Sequence, residues 1–268
     1  MSPVSRRATL WVMLVSQRIN RERVVVLGWG RAVLLQLAHP MVAAGVAEHS
    51  GFAGSRWARV QRLRSTVRAM VQLSFGDEAQ RRQTAARINT IHDAVHGSLA
   101  DSVGRYPRGT PYTATDPELL RWVHATLLDS IPLAYERFVG PLEAGDKDRY
   151  CEESVEAGRL LRIPEGRLLR RESDVGQVMQ ESLVNGRLAV GPQARWVARQ
   201  LLYPPLADPT RPAAWLMRLV TLGMLPPPIR DAYGFPWSPG RDRSLRIVSG
   251  TIRRLVRLLP PPARYWRT

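Results

Sequence analysis

One histidine lies within an apolar stripe whose spacing is typical of a helix. His92 belongs to the series Ile88, His92, Val95 and Leu99. Steps of four, three and four residues place these side chains on one helix face. A neutral imidazole in an apolar pocket is the proximal ligand that haem iron takes, whereas a core histidine bonded to a carbonyl group is the ordinary structural interpretation. His96, one turn further, lies toward the edge of the stripe.

A second histidine repeats this arrangement. His124 shares its predicted helix face with Leu120, Leu127 and Ile131. Two inward histidines on different helices could form a two-histidine metal site, could be a haem ligand with a structural partner, or could be unrelated core residues. A nonhaem iron site would also need a carboxylate, and no histidine has an acidic residue two positions further along. The sequence leaves the three alternatives open.

Three further side chains could do chemistry at a pocket, and each has an ordinary alternative. Arg62 and Thr66 are one helical turn apart, so they present a guanidinium and a hydroxyl either to a pocket or to solvent. Glu48 follows the apolar run 42–47 and is either a surface terminus or a buried acid–base candidate. Cys151 is the only cysteine, which excludes an intramolecular disulfide and a Cys-rich zinc site, and we interpret it as inert.

Helical periodicity extends along nearly the whole chain, without an Asn-Gly or Asp-Gly hairpin signal. No linker or internal repeat divides it, so we expect a single all-α globular domain over residues 1–268, with an extension at 1–19 and a basic helix and tail at 241–268. Asn20 is the predicted cap of the first long helix, and Asp116-Pro117-Glu118 is a strong helix start. The predicted helices cover about 21–37 with a continuation past Pro40 to 48, 59–73, 77–99 (stripe Ile88, Ile91, Val95, Leu99), 117 onward, 150–161, 174–184, 192–201, 212–222 and 243–259.

Basic residues dominate the charge and concentrate at the end of the chain. There are 39 Lys and Arg against 23 Asp and Glu, and Lys147 is the only lysine. Such an arginine bias is weak evidence for a nucleic-acid partner. Residues 241–268 hold eight arginines and one acidic residue, on a helix whose apolar face is Leu245, Val248, Ile252, Leu255 and Leu259. This helix is either an interfacial anchor at an anionic membrane or a core-packed helix with solvated arginines.

Targeting signals are weak. Arg6-Arg7 before an apolar segment is similar to a twin-arginine export signal, but Gln17 and Arg18 end that segment and no small-residue cleavage site follows. The most apolar stretch, 24–46, is interrupted by Arg31, Gln36, His39 and Pro40, so it predicts buried helix and not a transmembrane span. We therefore expect a cytoplasmic protein that is not exported, and residues 243–259 would hold it peripherally at a membrane under the first of the two alternatives for that helix.

An ordered set of motifs carries a family resemblance. The set is Leu35-Gln36-Leu37-Ala38-His39-Pro40, Ala47-Glu48-His49-Ser50, the Arg62 and Thr66 pair, Phe75-Gly76, Ile91-His92-Asp93-Ala94-Val95-His96-Gly97 and Asp116 to His124. Over roughly residues 20–260 it resembles the catalytic domain shared by rubber oxygenases (latex-clearing proteins) and the endoplasmic-reticulum oxygenase MpaB. The resemblance implies an all-α domain that buries a b-type haem between helices and uses dioxygen to cleave carbon–carbon double bonds.

Several site roles follow from this resemblance alone. It implies that His92 is the proximal iron ligand and that His124 is a supporting histidine of the haem site. Arg62 and Thr66 would lie near the haem. Glu48 would be the distal acid–base carboxylate. The implied partners are dioxygen and a hydrophobic, unsaturated substrate.

Two positions depart from the rubber-cleaving pattern. Ser65 stands where those enzymes have a lysine before the threonine, and Asn89 stands where they have an arginine three residues before the proximal histidine. The resemblance therefore implies a haem oxygenase scaffold whose substrate is isoprenoid-like or lipid-like, more than it implies rubber. The alternative function is a non-catalytic basic helical protein that binds anionic membranes or nucleic acid.

Overall fold

A computed structural model describes residues 13–49, 56–203 and 211–266, except the side chains of 56–60, 62, 63 and 211–213. The described chain is mainly helical, with one two-stranded sheet, which confirms the all-α fold class. The first elements are α1 (Val15–Asn20), a 3-10 turn (Arg23–Val26), α2 (Leu27–Leu37), α3 (Pro40–His49), α4 (Arg56–Phe75), α5 (Glu78–Asp93), β1 (His96–Ser98), β2 (Pro111–Thr113) and α6 (Pro117–Phe138). They are followed by α7 (Asp146–Glu153), α8 (Val155–Leu160), a 3-10 turn (Glu165–Arg167), α9 (Glu172–Val184), α10 (Pro192–Leu202), α11 (Arg211–Met224), α12 (Pro227–Ala232), α13 (Pro239–Leu258) and α14 (Pro261–Arg264). The Arg6-Arg7 motif lies outside the described residues.

Two helix boundaries follow the local signals in the sequence. Asp116 caps α6, because its Oδ1 accepts hydrogen bonds from the backbone N–H groups of Glu118 (2.7 Å) and Leu119 (3.2 Å). Pro40 begins α3, and the chain bends there by 108° between the stretches Arg23–Leu37 and Pro40–His49. Among the described helices none is by itself long and apolar enough to cross a membrane; only this bent pair passes, and only by length and composition.

Three other predictions about helices are wrong. Asn20 caps nothing and ends α1, where its amide donates to Ser74 Oγ. The helix predicted at 77–99 ends at Asp93, because the following residues leave it to pair in an antiparallel sheet with Gly97 opposite Tyr112. The predicted stripe is lost with it, since Ile91 is 59% exposed. The helix predicted at 150–161 is divided at Ser154 into α7 and α8.

Helix α2 lies at the centre of the molecule, between α6 and α11. Gly28 allows the approach to α6, because a Cβ atom there would lie 2.7 Å from the backbone oxygen of Ser130. Gly30 allows the approach to α11, where a Cβ atom would collide with the Thr221 hydroxyl. Close packing against the backbone of α6 and against the Thr221 side chain of α11 leaves no room for side chains at these two positions.

A buried arginine joins the same three helices. Arg31 is 5% exposed; its Nε donates to the Met224 carbonyl at 2.7 Å, and its Nη1 donates to Ser130 Oγ at 2.6 Å. The same Nη1 forms an ion pair with Asp129 of α6. Because a buried guanidinium must have its N–H groups bonded, this residue fixes the positions of α6 and of the end of α11 relative to α2.

The C-terminal helices cover the segment around Glu22 and one side of the core. Glu22 is 2% exposed and accepts hydrogen bonds from the guanidinium of Arg264 at 2.6–3.0 Å. The inward face of α13 packs on the core through Leu245, Val248 and Ile252. The core-packed alternative for residues 243–259 therefore holds for one face of the helix.

The glycine contact between α2 and α6 predicts a large effect of one methyl group. Gly28→Ala should lower the free energy of unfolding by about 1–3 kcal/mol, because the new Cβ would press on rigid backbone. Gly176→Ala is the matched control, since Gly176 is an exposed helical position with nothing within 4 Å of a Cβ, and it should stabilise slightly. Urea denaturation of both variants checks this. Equal midpoints would contradict the close packing of α2 on α6.

Candidate functional site

The residue of main interest, His92, lies in the last turn of α5 and is half-buried. Burial lowers its pKa below the usual value; the nearby Asp93 charge opposes this effect and the Arg162 charge adds to it. The imidazole is therefore neutral at neutral pH, which is the form that binds a metal. Its ring nitrogens form no hydrogen bond with any described residue.

The turn that carries His92 is fixed on both of its sides. Three residues before the histidine, the amide of Asn89 donates to the Leu160 carbonyl at 2.9 Å. One residue after it, Asp93 accepts from the guanidinium of Arg162 at 2.7 Å. Arg162 has a φ of 63°, a left-handed conformation that a non-glycine residue keeps only where its surroundings enforce it. The turn after α8 thus holds the end of α5 in place.

His124 is the more deeply buried of the two inward histidines. It is 8% exposed, and burial lowers its pKa to about 4. Its Nδ1 is buried and has no hydrogen-bond partner. The ring packs on α8, where a Cβ on Gly158 would lie 3.2 Å from His124 Cε1. The helices that carry His92 and His124 therefore both contact α8.

Glu48 lies at the end of α3 and is exposed, as expected for a surface terminus. Its Oε2 accepts a 2.6 Å hydrogen bond from the hydroxyl of Tyr112, which is also 3.4 Å from His49 Nε2. Tyr112 pairs with Gly97 in the sheet, so the carboxylate lies beside the strand that follows His92. Burial, followed by the hydrogen bond to Glu48, raises the pKa of Tyr112.

The sequence did not predict a role for Tyr112. The described part of α4 also supports fewer of the predicted site residues than expected. Tyr112 reaches Glu48 only through the pairing of two three-residue strands, which leaves no periodic pattern. Thr66 is exposed, and the side chain of Arg62 lies outside the described residues. Helix α4 is tied to α5 by a 3.0 Å hydrogen bond between Gln72 and Thr84. The roles of Arg62 and Thr66 stay predictions.

The number of available ligands separates two kinds of iron site. A nonhaem site needs about three protein ligands, whereas haem iron needs one axial ligand. Within the described ranges, no group of three or more His, Cys, Asp or Glu residues could hold a metal ion. His92 offers one neutral, half-buried imidazole, and His124 lies on the next helix with its buried Nδ1 unpaired.

Most of the chain is similar to known proteins. Residues 16–258 match the family described as ER-bound oxygenase mpaB/B'/rubber oxygenase, catalytic domain. Uncharacterised proteins of Mycobacterium bovis and of Mycobacterium tuberculosis are each 27% identical over 232 residues, which is 85% of this chain and 87% of the relative. No solved structure matches the chain.

The burial of His124 predicts a pH dependence of stability. Between pH 6.5 and about 4 the unfolded chain binds a proton at this ring and the native chain does not. The contribution is complete above pH 6.5 and falls by roughly 3 kcal/mol as pH drops through this window. His124→Leu should flatten the decline, and His96→Leu, at an exposed position, should not. Urea unfolding across the window measures both, and identical slopes would contradict the buried neutral ring.

Proposed function

We propose, for a chain that belongs to the MpaB and rubber-oxygenase catalytic-domain family, a haem-b-dependent oxygenase with His92 as its proximal iron ligand. Its substrate would be hydrophobic and unsaturated, similar to an isoprenoid or a lipid chain. Family membership supplies the oxygenase class. The cofactor, the ligand and the substrate class are the proposal.

The observation that carries the proposal is the state of His92. The ring is neutral, half-buried and free of hydrogen bonds to described residues, so both ring nitrogens are available. Asn89 and Arg162 fix the turn that carries it. A ligand held in this way keeps its position whether or not the iron is bound, which lowers the ordering cost of binding.

Haem bound at His92 would supply the iron that activates dioxygen. The chain itself would orient that iron through His92. It would hold a proton on the Tyr112 hydroxyl, whose raised pKa keeps it protonated at neutral pH. Glu48 is exposed and accepts that hydrogen bond. We assign to Glu48 the acid–base role that the resemblance implies, with Tyr112 as its partner.

The substrate class rests on two features. Val67, Met70 and Val71 of α4 are only half-buried, so part of their apolar surface is open to a hydrocarbon chain. The side-chain amide of Asn89 donates to the Leu160 carbonyl. The residue at the position that is arginine in rubber-cleaving enzymes therefore stabilises the fold here. These features support an isoprenoid-like or lipid-like substrate, more than rubber.

The haem proposal predicts a coloured protein. Chain produced with adequate iron should show a Soret band and about one haem per chain. His92→Ala should abolish or strongly reduce haem retention, because it removes the axial ligand. His124→Ala should keep part of the haem, and His96→Ala, an exposed control, should keep all of it. The haem-to-protein ratios of the variants, with circular dichroism for folding, decide.

Two results would contradict the assignment. A folded wild-type protein that stays colourless and takes up no added haemin would end the haem proposal. Loss of haem in His124→Ala together with retention in His92→Ala would reverse the two roles. Thr66→Ala and Arg62→Ala should keep the Soret band and lower turnover, if they line the pocket as the resemblance implies.

A second proposal concerns the outer face of α13. Ile247, Leu255 and Leu258 are 63%, 55% and 79% exposed, and they recur at spacings that place them on one side of the helix. The exposed arginines without a described ion pair on this helix are Arg241, Arg243, Arg246, Arg254 and Arg257. Exposed leucines between arginines favour an anionic lipid surface over nucleic acid. We propose peripheral membrane contact here, which suits an enzyme with a lipid-like substrate.

The membrane proposal predicts charge-dependent and leucine-dependent vesicle binding. The protein should sediment with anionic vesicles and not with neutral ones. Arg254→Gln with Arg257→Gln should weaken this by about 2 kcal/mol, or about 30-fold. Leu255→Gln with Leu258→Gln should weaken it at every salt concentration. Arg82→Gln with Arg87→Gln on α5 is the charge-matched control. Equal binding to neutral vesicles, or an equal effect of the control, would contradict the proposal.

A further inference from the structure

One side of α13 carries three arginines around a glycine. Arg246, Gly250, Arg253 and Arg257 follow one another at steps of four, three and four residues, so they share one face of the helix. A Cβ atom on Gly250 would have nothing within 4 Å, so this position is an open gap. Arg246 and Arg257 are exposed and form no ion pair with the described part of the chain. We call these four residues the α13 notch.

A fourth arginine, Arg137 in the last turn of α6, lies close to Arg253. Nη2 of Arg253 donates to the backbone oxygen of Glu136 and, at 3.0 Å, to that of Arg137. These bonds hold the Arg253 guanidinium at the end of α6 and cover carbonyl groups whose partial negative charge would repel an anion. Burial, and then the positive charge of Arg253, lower the pKa of Arg137, so the two guanidiniums are near enough to repel each other.

Both of these guanidiniums keep N–H groups that a ligand can reach. Arg137 is half-buried, and none of its three side-chain nitrogens is bonded to a described residue or closed to solvent. Nη1 of Arg253 is also unbonded and open, whereas its Nε is closed and its Nη2 is already bonded. A half-buried guanidinium is normally bonded to an acceptor, so these open N–H groups indicate an acceptor from outside the chain.

The charges around the α13 notch favour an anion. The negative charge of Asp242 opposes the lowering of the Arg137 pKa, but its effect is smaller than that of Arg253. The carboxylate of Glu136 is already paired with Lys147 at 3.2 Å. The three arginines of the notch together with Arg137 therefore outnumber the one carboxylate, Asp242, that acts on them.

This inference rests on the membrane contact of α13 proposed above, and it names the lipid. We propose that the α13 notch binds the phosphate monoester headgroup of an anionic lipid, the headgroup of phosphatidic acid. A phosphate monoester carries about −1.5 to −2 charges at neutral pH and three acceptor oxygens, which suits several guanidiniums better than the single charge of a diester. It also ends at the phosphate, so no larger headgroup has to fit beside Gly250. The acyl chains would lie along exposed Ile247, Leu255 and Leu258.

Sedimentation of the full chain with vesicles tests the headgroup class. Vesicles that contain phosphatidic acid should bind the protein at least about tenfold more tightly than phosphatidylglycerol vesicles mixed to the same surface charge, because the monoester accepts more charge-assisted hydrogen bonds. Equal affinity for the two lipids would overturn the role of the notch and leave the membrane contact standing. Binding to neither lipid would overturn both proposals.

A soluble competitor separates a lipid from a free phosphate monoester. Glycerol 3-phosphate has the same phosphate and no acyl chains, so it should displace the protein from phosphatidic acid vesicles only at concentrations far above that of the lipid. Displacement at a concentration equal to that of the lipid would overturn the lipid as the ligand.

Variants test the location. Arg137→Gln should remove the preference for phosphatidic acid because it removes the open guanidinium. Gly250→Leu should do the same without a change of charge, because it fills the gap, and leucine is a good helix former at an open helical position. Arg87→Gln removes an exposed arginine of α5 and should leave the preference unchanged.

The variants also state what would contradict the location. A preference that survives in both Arg137→Gln and Gly250→Leu would overturn it, and so would a preference that Arg87→Gln removes equally. If Arg137→Gln does not fold, as circular dichroism would show, Gly250→Leu decides alone.

Discussion

The fold depends on how closely α2 lies between α6 and α11. Gly28 and Gly30 remove the side chains that would hold these helices apart, and Arg31 then bonds to groups on both neighbours. A buried guanidinium is favourable only when its donors are satisfied. Arg31 without the close approach of the helices, or the close approach without Arg31, would therefore be costly. The two glycines make the approach possible, and the arginine makes one register of α6 against α2 much better than its alternatives.

That register determines where the chemistry-bearing half of α6 lies. Ser130 and Asp129 hold the middle of the helix, and about two turns earlier the same helix carries His124, Trp122 and Arg121. His124 is set against α8, whose following turn fixes the end of α5 and therefore His92. The proposed haem ligand is thus linked to the central helix α2 by the packing of α6 and then of α8.

Helix boundaries that depend on local contacts are predicted well by local signals in the sequence. The Asp116-Pro117 start of α6 and the break at Pro40 were predictable, because a cap or a proline acts within a few residues. The end of α5 was not, because it depends on pairing with a strand that begins at Pro111. Of the candidate site, the burial of His124 was predictable from the periodicity of α6, whereas the stripe that was to carry His92 inward is lost because α5 ends at Asp93. Tyr112 was not predictable, because it reaches Glu48 only through the pairing of two short strands.

The two halves of α6 differ in how their polar side chains are bonded to the rest of the fold. Its middle is bonded to Arg31 and Gln36 of α2, whereas Arg121, Trp122 and His124 each keep a buried nitrogen without a partner. Each such atom costs about 1–3 kcal/mol, so a helix chosen for stability alone would carry apolar residues there. The anchoring at α2 and α11 is what lets the first half of α6 keep polar groups that the fold does not satisfy. His124 packs against α8, and the turn after α8 holds the end of α5 with the proposed haem ligand, so the junction at Arg31 also determines where His92 lies.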